Sequence, residues 1–202
     1  MRLRYHFILL AFLGFPYLSH GQVKVGIKSG ANISTITRLY RDPKNKLGWY
    51  AGVAFIIPID RNVSLQSEIL FSSKGVSVIP TVPPSYESSK NKLQFNYVNL
   101  PILISYGIDK RTKLVIGPEL GYLLSVRHRN QTTVFKSDFY YPKKFDIGIV
   151  IGAGYLLIKR CKIELRYSYG FKMMRYRDIT GTYTREGGAN RTFEIGLNYL
   201  LK

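Results

Sequence analysis

The sequence is poor in the residues that build disulfides, metal centres and catalytic triads. Cys161 is the only cysteine among 202 residues, and His6, His20 and His128 are the only histidines. A single cysteine excludes an intrachain disulfide and a cysteine cluster that could bind a metal. His6 and His20 precede the cleavage site that we predict below, so a multi-histidine metal site is excluded as well. We expect His128 in a solvated loop, and we expect neither a cofactor nor an enzymatic activity.

The N-terminus lacks an apolar run long enough to cross a membrane as a helix. Its apolar stretch, FILLAFLGFPYL, covers only residues 7–18 and contains Pro16. The stretch follows the basic segment MRLRYH and precedes small residues, which is the layout of a secretory signal. We therefore predict a signal peptide over residues 1–21, cleaved before Gln22, and one domain over residues 22–202.

Alternating polarity is the abundant feature of the remaining chain. Within residues 145–157, Ile147, Ile149 and Ile151 share one face while Asp146 lies on the other. This is the period of a β-strand with two unlike faces. Eight segments alternate in this way, and each has about ten residues or more, the length that a tilted strand needs to cross a bilayer. They cover residues 23–33, 47–57, 63–73, 92–106, 113–126, 145–157, 162–171 and 191–201.

The connections between these segments alternate between long and short. The long connections, residues 34–46, 74–91, 127–144 and 172–190, follow the odd segments, and tight turns follow the even ones. All long loops then lie at one end of the sheet and all tight turns at the other. We predict an all-β fold, an eight-stranded antiparallel up-and-down transmembrane β-barrel, with both chain termini at the turn end.

The fourth segment departs from simple alternation. Leu93, Phe95 and Tyr97 share one parity, whereas the apolar residues from Leu100 onward share the other. This switch predicts either a bulge near Tyr97 or a change in which face is apolar above the membrane. Pro101 has no N–H to donate to a neighbouring strand, so we expect a local accommodation there.

The alternation alone leaves open whether the apolar face points outward to lipid or inward to a ligand cavity, as in a soluble lipocalin-like barrel. The polar face is poor in charge and rich in Gly, Ser and Asn, which suits the crowded interior of a small barrel. Aromatic residues lie at both ends of the apolar face, as girdles at two membrane interfaces would, so we favour lipid outside. They are Trp49, Phe71, Phe145, Tyr169, Phe171 and Phe193 near the long loops and Phe55, Tyr106, Tyr155 and Tyr199 near the turns.

Four motifs resemble the PorT-like outer-membrane β-barrel family. They are GIKSGANIS at 26–34, YVNLPILISY at 97–106, GPELGY at 117–122 and DIGIVIGAG at 146–154. The resemblance spans residues 22–202 and implies an eight-stranded barrel in the outer membrane of a gram-negative cell. We expect the termini in the periplasm and a monomer. Two roles follow: a non-enzymatic structural or surface-interaction barrel, or an accessory component of protein secretion across the outer membrane.

Several charged residues fall on the inward parity of the predicted barrel. Buried charges require partners, because an unpaired one is strongly disfavoured. We predict a paired polar cluster in the lumen, with Arg166 in contact with one or more of the glutamates. A catalytic carboxylate cluster or a proton path is less favoured, because eight strands leave a lumen just wide enough for side chains. The cluster comprises Lys28, Glu68, Glu119, Glu164 and Arg166.

Acidic residues are scarce, with 12 Asp and Glu against 30 Lys and Arg. Cleavage would remove Arg2 and Arg4 and lower the formal charge from +18 to +16, of which +11 lies in residues 34–46, 75–92, 127–144 and 172–191, around the four long connections. Because Arg and Lys pair well with phosphate, we expect contacts with outer-membrane lipids, and envelope or secretion proteins as further partners. No motif indicates a nucleic-acid partner. The predicted contact residues are Arg38, Arg41, Arg127, Arg129, Lys143, Lys144, Arg175 and Arg177.

Overall fold

The computed structural model describes residues 23–37, 44–78, 91–129, 134–136, 144–171 and 189–201, and the predicted signal peptide lies outside them. No helix that could cross a membrane occurs in this part of the chain. Nine strands are present there. They are β1 Lys24–Ile36, β2 Lys44–Pro58, β3 Val63–Val78, β4 Asn91–Gly107, β5 Thr112–Arg129, β6 Val134–Lys136, β7 Phe145–Ile158, β8 Cys161–Gly170 and β9 Asn190–Leu200.

Eight of these strands form a closed antiparallel barrel. Successive strands are hydrogen-bonded, with β5 next to β7, and the pairing of β1 with β9 closes the ring. That closing register runs from Gly26 opposite Leu200 to Ile36 opposite Asn190. The turns at 59–62, 108–111 and 159–160 lie at the end where β1 starts and β9 finishes. The predicted eight-stranded up-and-down barrel is therefore confirmed.

The short strand β6 lies outside the closed ring and was not expected from the sequence. It pairs with residues 127–129, which extend β5 beyond its predicted end. The prediction of a loop over residues 127–144 is wrong for β6 and for His128, whose backbone belongs to β5. Ladder hydrogen bonds satisfy the backbone of these residues despite their polar composition.

The alternation of each strand separates a buried polar face from an exposed apolar face. Ile27, Ile104 and Ile151 are 53%, 55% and 54% exposed, whereas Lys28 and Glu68 are fully buried. A continuous exposed apolar surface of this extent is typical of contact with lipid. All ten aromatic residues of the predicted girdles lie on the outward parity, half-buried or exposed.

Side chains fix the turn between β4 and β5. The Asp109 carboxylate accepts hydrogen bonds from the backbone N–H groups of Arg111 and Thr112, at 2.6 and 2.7 Å. These bonds favour the ionised form and hold the pKa of the Asp109 carboxyl below its ordinary value. The Asp109 carboxylate is therefore held by hydrogen bonds to the backbone of the turn.

The polarity switch in β4 reflects a change of the apolar face. Leu93, Phe95 and Tyr97 are buried on the same parity as the buried Asn99, and Leu100 on the opposite parity is exposed. A register irregularity does lie beside Tyr97, but its extra residue is Leu124, on β5. At Pro101 the ladder with β3 is interrupted between the pairs Ser67–Ile102 and Leu70–Asn99.

Inward apolar residues form two buried clusters, a small one of Leu103, Val115 and Val150 and a larger one that fills the lumen at the long-loop end. This apolar plug is almost completely buried, and Val126 packs against it. Outward positions at the same level of β3 are polar, as at Ser73 and Ser77. The two faces of β3 and β4 therefore exchange polarity toward the long loops, as expected where strands leave a membrane. The plug consists of Ile36, Val76, Leu93, Phe95, Tyr97 and Leu123.

A charge on the outward face should destabilise the barrel. Ile151 lies in the middle of β7, so Ile151→Arg would put a guanidinium into the hydrocarbon and cost about 2–4 kcal/mol. Unfolding in phospholipid vesicles, followed by heat-modifiable gel migration, measures this cost. Ile108→Arg is the matched control, because Ile108 is 59% exposed in the 108–111 turn. An equal effect of both substitutions would contradict a lipid-facing position for Ile151.

Candidate functional site

The lumen is crossed by an ion-pair network centred on Arg166. The Arg166 guanidinium on β8 forms two hydrogen bonds with the Glu68 carboxylate on β3, Nη1 to Oε2 at 2.8 Å and Nη2 to Oε1 at 2.7 Å. Its Nη2 is also 2.7 Å from Oε2 of Glu164. β3 and β8 lie on opposite sides of the eight-stranded ring. This bidentate pair therefore ties two opposite walls of the barrel together.

Two lysines add further cations to this central cluster. Lys28 Nζ lies 2.7 Å from Glu164 and 3.3 Å from Glu68, and Lys162 Nζ lies 2.8 Å from Glu164. Three cations thus surround two carboxylates. All five side chains are at least nine-tenths buried, so each charge depends on these partners in place of water.

Neutral polar groups surround the central cluster. Gln66 Nε2 donates to Glu68 at 2.5 Å, and Asn198 Nδ2 donates to Glu164 at 3.4 Å. The ring of Tyr50 lies 5.7 Å from Lys28 Nζ. Tyr50 fits because Gly196 lies against its hydroxyl, where a Cβ would collide with it. The carboxylates are therefore held by fixed donors on several strands.

A second cluster lies closer to the long loops. Lys74 Nζ is 3.3 Å from Glu119 Oε1, which also accepts a hydrogen bond from Ser168 at 3.0 Å. Beside this pair, Asn190 Nδ2 donates to Asp146 at 2.6 Å and to the Tyr97 hydroxyl at 3.3 Å. The structure therefore separates Glu119 from Arg166, although the sequence predicted a single cluster. The reason is that Lys74 reaches Glu119 from the neighbouring part of the lumen.

Glu194 lies between the two clusters. It is buried on β9, directly across the strand pair from Arg166 and from Asn32. No ion pair is formed by Glu194 within the described residues, since Arg166 extends across the lumen to Glu68 instead. Glu194 is the least compensated acid of the lumen.

The side chains leave little free volume between the clusters. A cavity of about 10 Å³ is lined by Lys74, Glu119, Asp146, Ser168 and Asn190, among others. A space of this size holds about one water molecule. With the apolar plug above it, the lumen from the charged clusters to the long-loop end is a filled core. No group of three or more His, Cys, Asp or Glu side chains within the described residues could hold a metal ion.

Several members of these clusters were missed in the sequence. Lys74 was assigned to a connection, yet it continues the inward parity of Glu68 along β3. Lys162 shares the inward parity of Glu164 and Arg166 on β8 but is not among the residues of the predicted cluster. Asn190 was assigned to a loop. Extending the alternation of β3 and β9 by a few residues would have found Lys74 and Asn190.

The predicted phosphate-contacting residues are only partly within the described residues. Arg127 and Lys144 lie exposed at the long-loop end, and the backbone of Arg129 ends β5. A further cation there, Arg191, stacks over the ring of Tyr169 at 3.6 Å. The other predicted contacts lie outside the described residues. They are Arg38, Arg41, Lys143, Arg175 and Arg177.

Comparisons with known proteins identify the same architecture. The family model described as "Outer membrane protein beta-barrel domain" matches residues 15–174. No curated protein matches the sequence. Neisserial surface protein A (NspA) is similar in structure, with a TM-score of 0.56 at 11% identity, covering 89% of this chain and 99% of that chain.

Two further solved barrels are similar at comparable levels. Ail of Yersinia pestis, in complex with the heparin analogue sucrose octasulfate, has a TM-score of 0.50 at 12% identity over 90% of this chain and 100% of its own. OprG from Pseudomonas aeruginosa has a TM-score of 0.52 at 12% identity over 91% and 98%. At these identities the likeness shows the fold alone.

Removing Arg166 should destabilise the barrel strongly. Arg166→Ala would remove the bidentate partner of Glu68 and one of the cations that face Glu164 in a buried site, at a cost of about 3–5 kcal/mol. Urea unfolding in phospholipid vesicles measures the loss. Arg127→Ala is the control, because Arg127 is exposed at the long-loop end.

A double variant separates lost pairing from lost volume. Adding Glu68→Gln to Arg166→Ala removes the carboxylate that has lost its partner. The double variant should therefore lose less free energy of unfolding than the two single variants lose in sum. Unchanged unfolding of Arg166→Ala would mean that water replaces the guanidinium and that the network contributes nothing to stability.

Proposed function

The chain belongs to the outer membrane protein beta-barrel domain family, and we propose that it acts there as a non-enzymatic structural and surface-interaction barrel. In this proposal the long loops face the cell exterior and bind lipid phosphate. The turns and both termini face the periplasm. The observation that carries the proposal is the concentration of cations at the long-loop end, beside one of the two aromatic girdles.

The lumen gives the first argument for this role. Both charged clusters are internally paired, and the space between them accommodates about one water. A substrate or solute has no room between the two clusters. Function therefore falls to the surfaces of the barrel, namely its apolar wall and its two ends.

The long-loop end gives the second argument. Arg127 and Lys144 are exposed there, and Arg191 stacks on Tyr169, which is packed 5.5 Å from Phe171. An aromatic ring at this level suits the membrane interface, and a cation beside it can reach headgroup phosphates. The similar fold of Ail, solved with a sulfated ligand, agrees with anion binding by small barrels of this architecture.

The alternative role is accessory to protein secretion, as the PorT-like resemblance implies. It is supported by the four resembling motifs, which fall in β1, β4, β5 and β7 and so extend around much of the barrel. A deletion strain distinguishes the two roles. Loss of a secretion component should leave cargo in the periplasm, whereas loss of an envelope barrel should change permeability or adhesion without that block.

Neutralising the loop cations should weaken lipid retention. Glutamine at Arg127, Arg129, Lys143 and Lys144 removes four charges, so the purified barrel should retain less phosphatidylglycerol at low salt. The difference from the parent should shrink as salt is raised, because mobile ions screen exposed charges over about 8–10 Å. Retained lipid is measured by mass spectrometry after detergent exchange.

The matched control removes four cations from the turn end. It replaces Lys110, Arg111, Lys159 and Arg160 with glutamine, all exposed in the short turns. Both variants should keep heat-modifiable migration. Equal lipid retention by the loop variant and the parent at low salt would show that the loop charge is merely solvated.

A further inference from the structure

The turn end of the lumen opens into a basic cavity. Its volume is about 260 Å³, and it lies below the central cluster, with Lys162 in its wall. Seven of its fifteen lining residues are Lys or Arg, and Asp60 is the only acid among them. The cations come from strands on different sides of the ring, including Lys24 on β1 and Lys113 on β5. This turn-end cavity is separate from the long-loop end.

Protein groups compensate little of this charge. Asp60 accepts a hydrogen bond from the backbone N–H of Arg61 at 2.7 Å, so its carboxylate is engaged in the turn. Lys162 is paired with Glu164. No other cation of the cavity is in an ion pair within the described residues. The remaining excess surrounds a recess whose low-dielectric walls concentrate the positive potential.

Solvation by water stabilises the positive charge of this cavity less well than that of an exposed loop, because two of its lysines are partly or fully buried. Lys113 is half-buried and Lys162 is buried, so like charges meet where water is restricted. Such an arrangement is unfavourable until an anion enters. The cavity is therefore electrostatically suited to a negatively charged ligand.

A buried hydroxyl gives an independent indication. Ser64 lines the cavity, is only 4% exposed, and its Oγ has no hydrogen-bond partner in the described structure. Buried hydroxyl groups normally have a partner, so the Ser64 hydroxyl is available to donate to a ligand that enters the cavity. An anion among these lysines would accept the Ser64 hydrogen bond.

The size and the charge distribution define the ligand class. A cavity of about 260 Å³ lies just below the usual range for drug-sized ligands. Because the lysines project from separate strands, a ligand must carry more than one anionic group to contact them together. We propose that the turn-end cavity binds a small soluble anion with two or more phosphoryl groups, such as a diphosphate or a bisphosphorylated sugar.

Calorimetric titration with inorganic pyrophosphate tests this site. The full chain, folded in a zwitterionic detergent, should bind pyrophosphate, and added salt should weaken binding by screening. Lys24→Gln combined with Lys113→Gln should raise the dissociation constant about tenfold. Lys44→Gln combined with Arg160→Gln removes the same charge from exposed residues that do not line the cavity and should leave the constant unchanged. Heat-modifiable migration confirms that both variants fold.

Three outcomes would overturn the proposal. They are failure of the parent to bind pyrophosphate, an equal loss in the control variant, and no loss in the cavity variant. Vesicles of phosphatidylglycerol distinguish a lipid source of phosphate. If the cavity variant loses vesicle binding while the parent never binds pyrophosphate, the cavity binds lipid headgroups and the soluble-ligand assignment is wrong. Loop-end lipid retention is measured separately, so either proposal can fail alone.

Discussion

The bidentate pair between Arg166 and Glu68 is the contact on which the rest of the lumen depends. It spans the ring from β8 to β3, and the lysines and amides of the central cluster are arranged around the two carboxylates that it holds. Within a bilayer the outer wall is apolar, so every charge has to find its partner inside. A small barrel satisfies this requirement only if its charged side chains are complementary across the lumen.

Much of the architecture could be predicted because lipid imposes the alternation directly. Ile147, Ile149 and Ile151 must face outward together, and a one-residue shift would turn all of them inward. The predictions failed where lipid no longer acts. β6 lies beyond the ring, and Lys74 sits in β3 where the outward residues have become polar, so both were assigned to connections.

The site was harder to predict than the fold. The alternation along a strand shows whether a side chain points inward, but it does not show which residue that side chain contacts. Glu119 and Arg166 both point inward, yet Glu119 pairs with Lys74 and Arg166 with Glu68. Which pair forms depends on side-chain reach and on the stagger of the strands around the ring. Neither quantity can be read from a single strand. The sequence therefore identified most of the charged residues and could not assign their pairings.

The two ends of the barrel differ in a way that follows from how each is closed. At the long-loop end, Leu93 and Phe95 fill the lumen, so cations there are confined to the outer rim and the loops. Toward the turn end the smaller buried apolar cluster of Leu103, Val115 and Val150 does not close the lumen, and a cavity remains there, with Lys162 shared between it and the central cluster. A basic surface at the first end can meet only a flat array of anions. The basic cavity at the turn end can instead enclose a single small anion. The same excess of positive charge therefore suits two different kinds of ligand at the two ends.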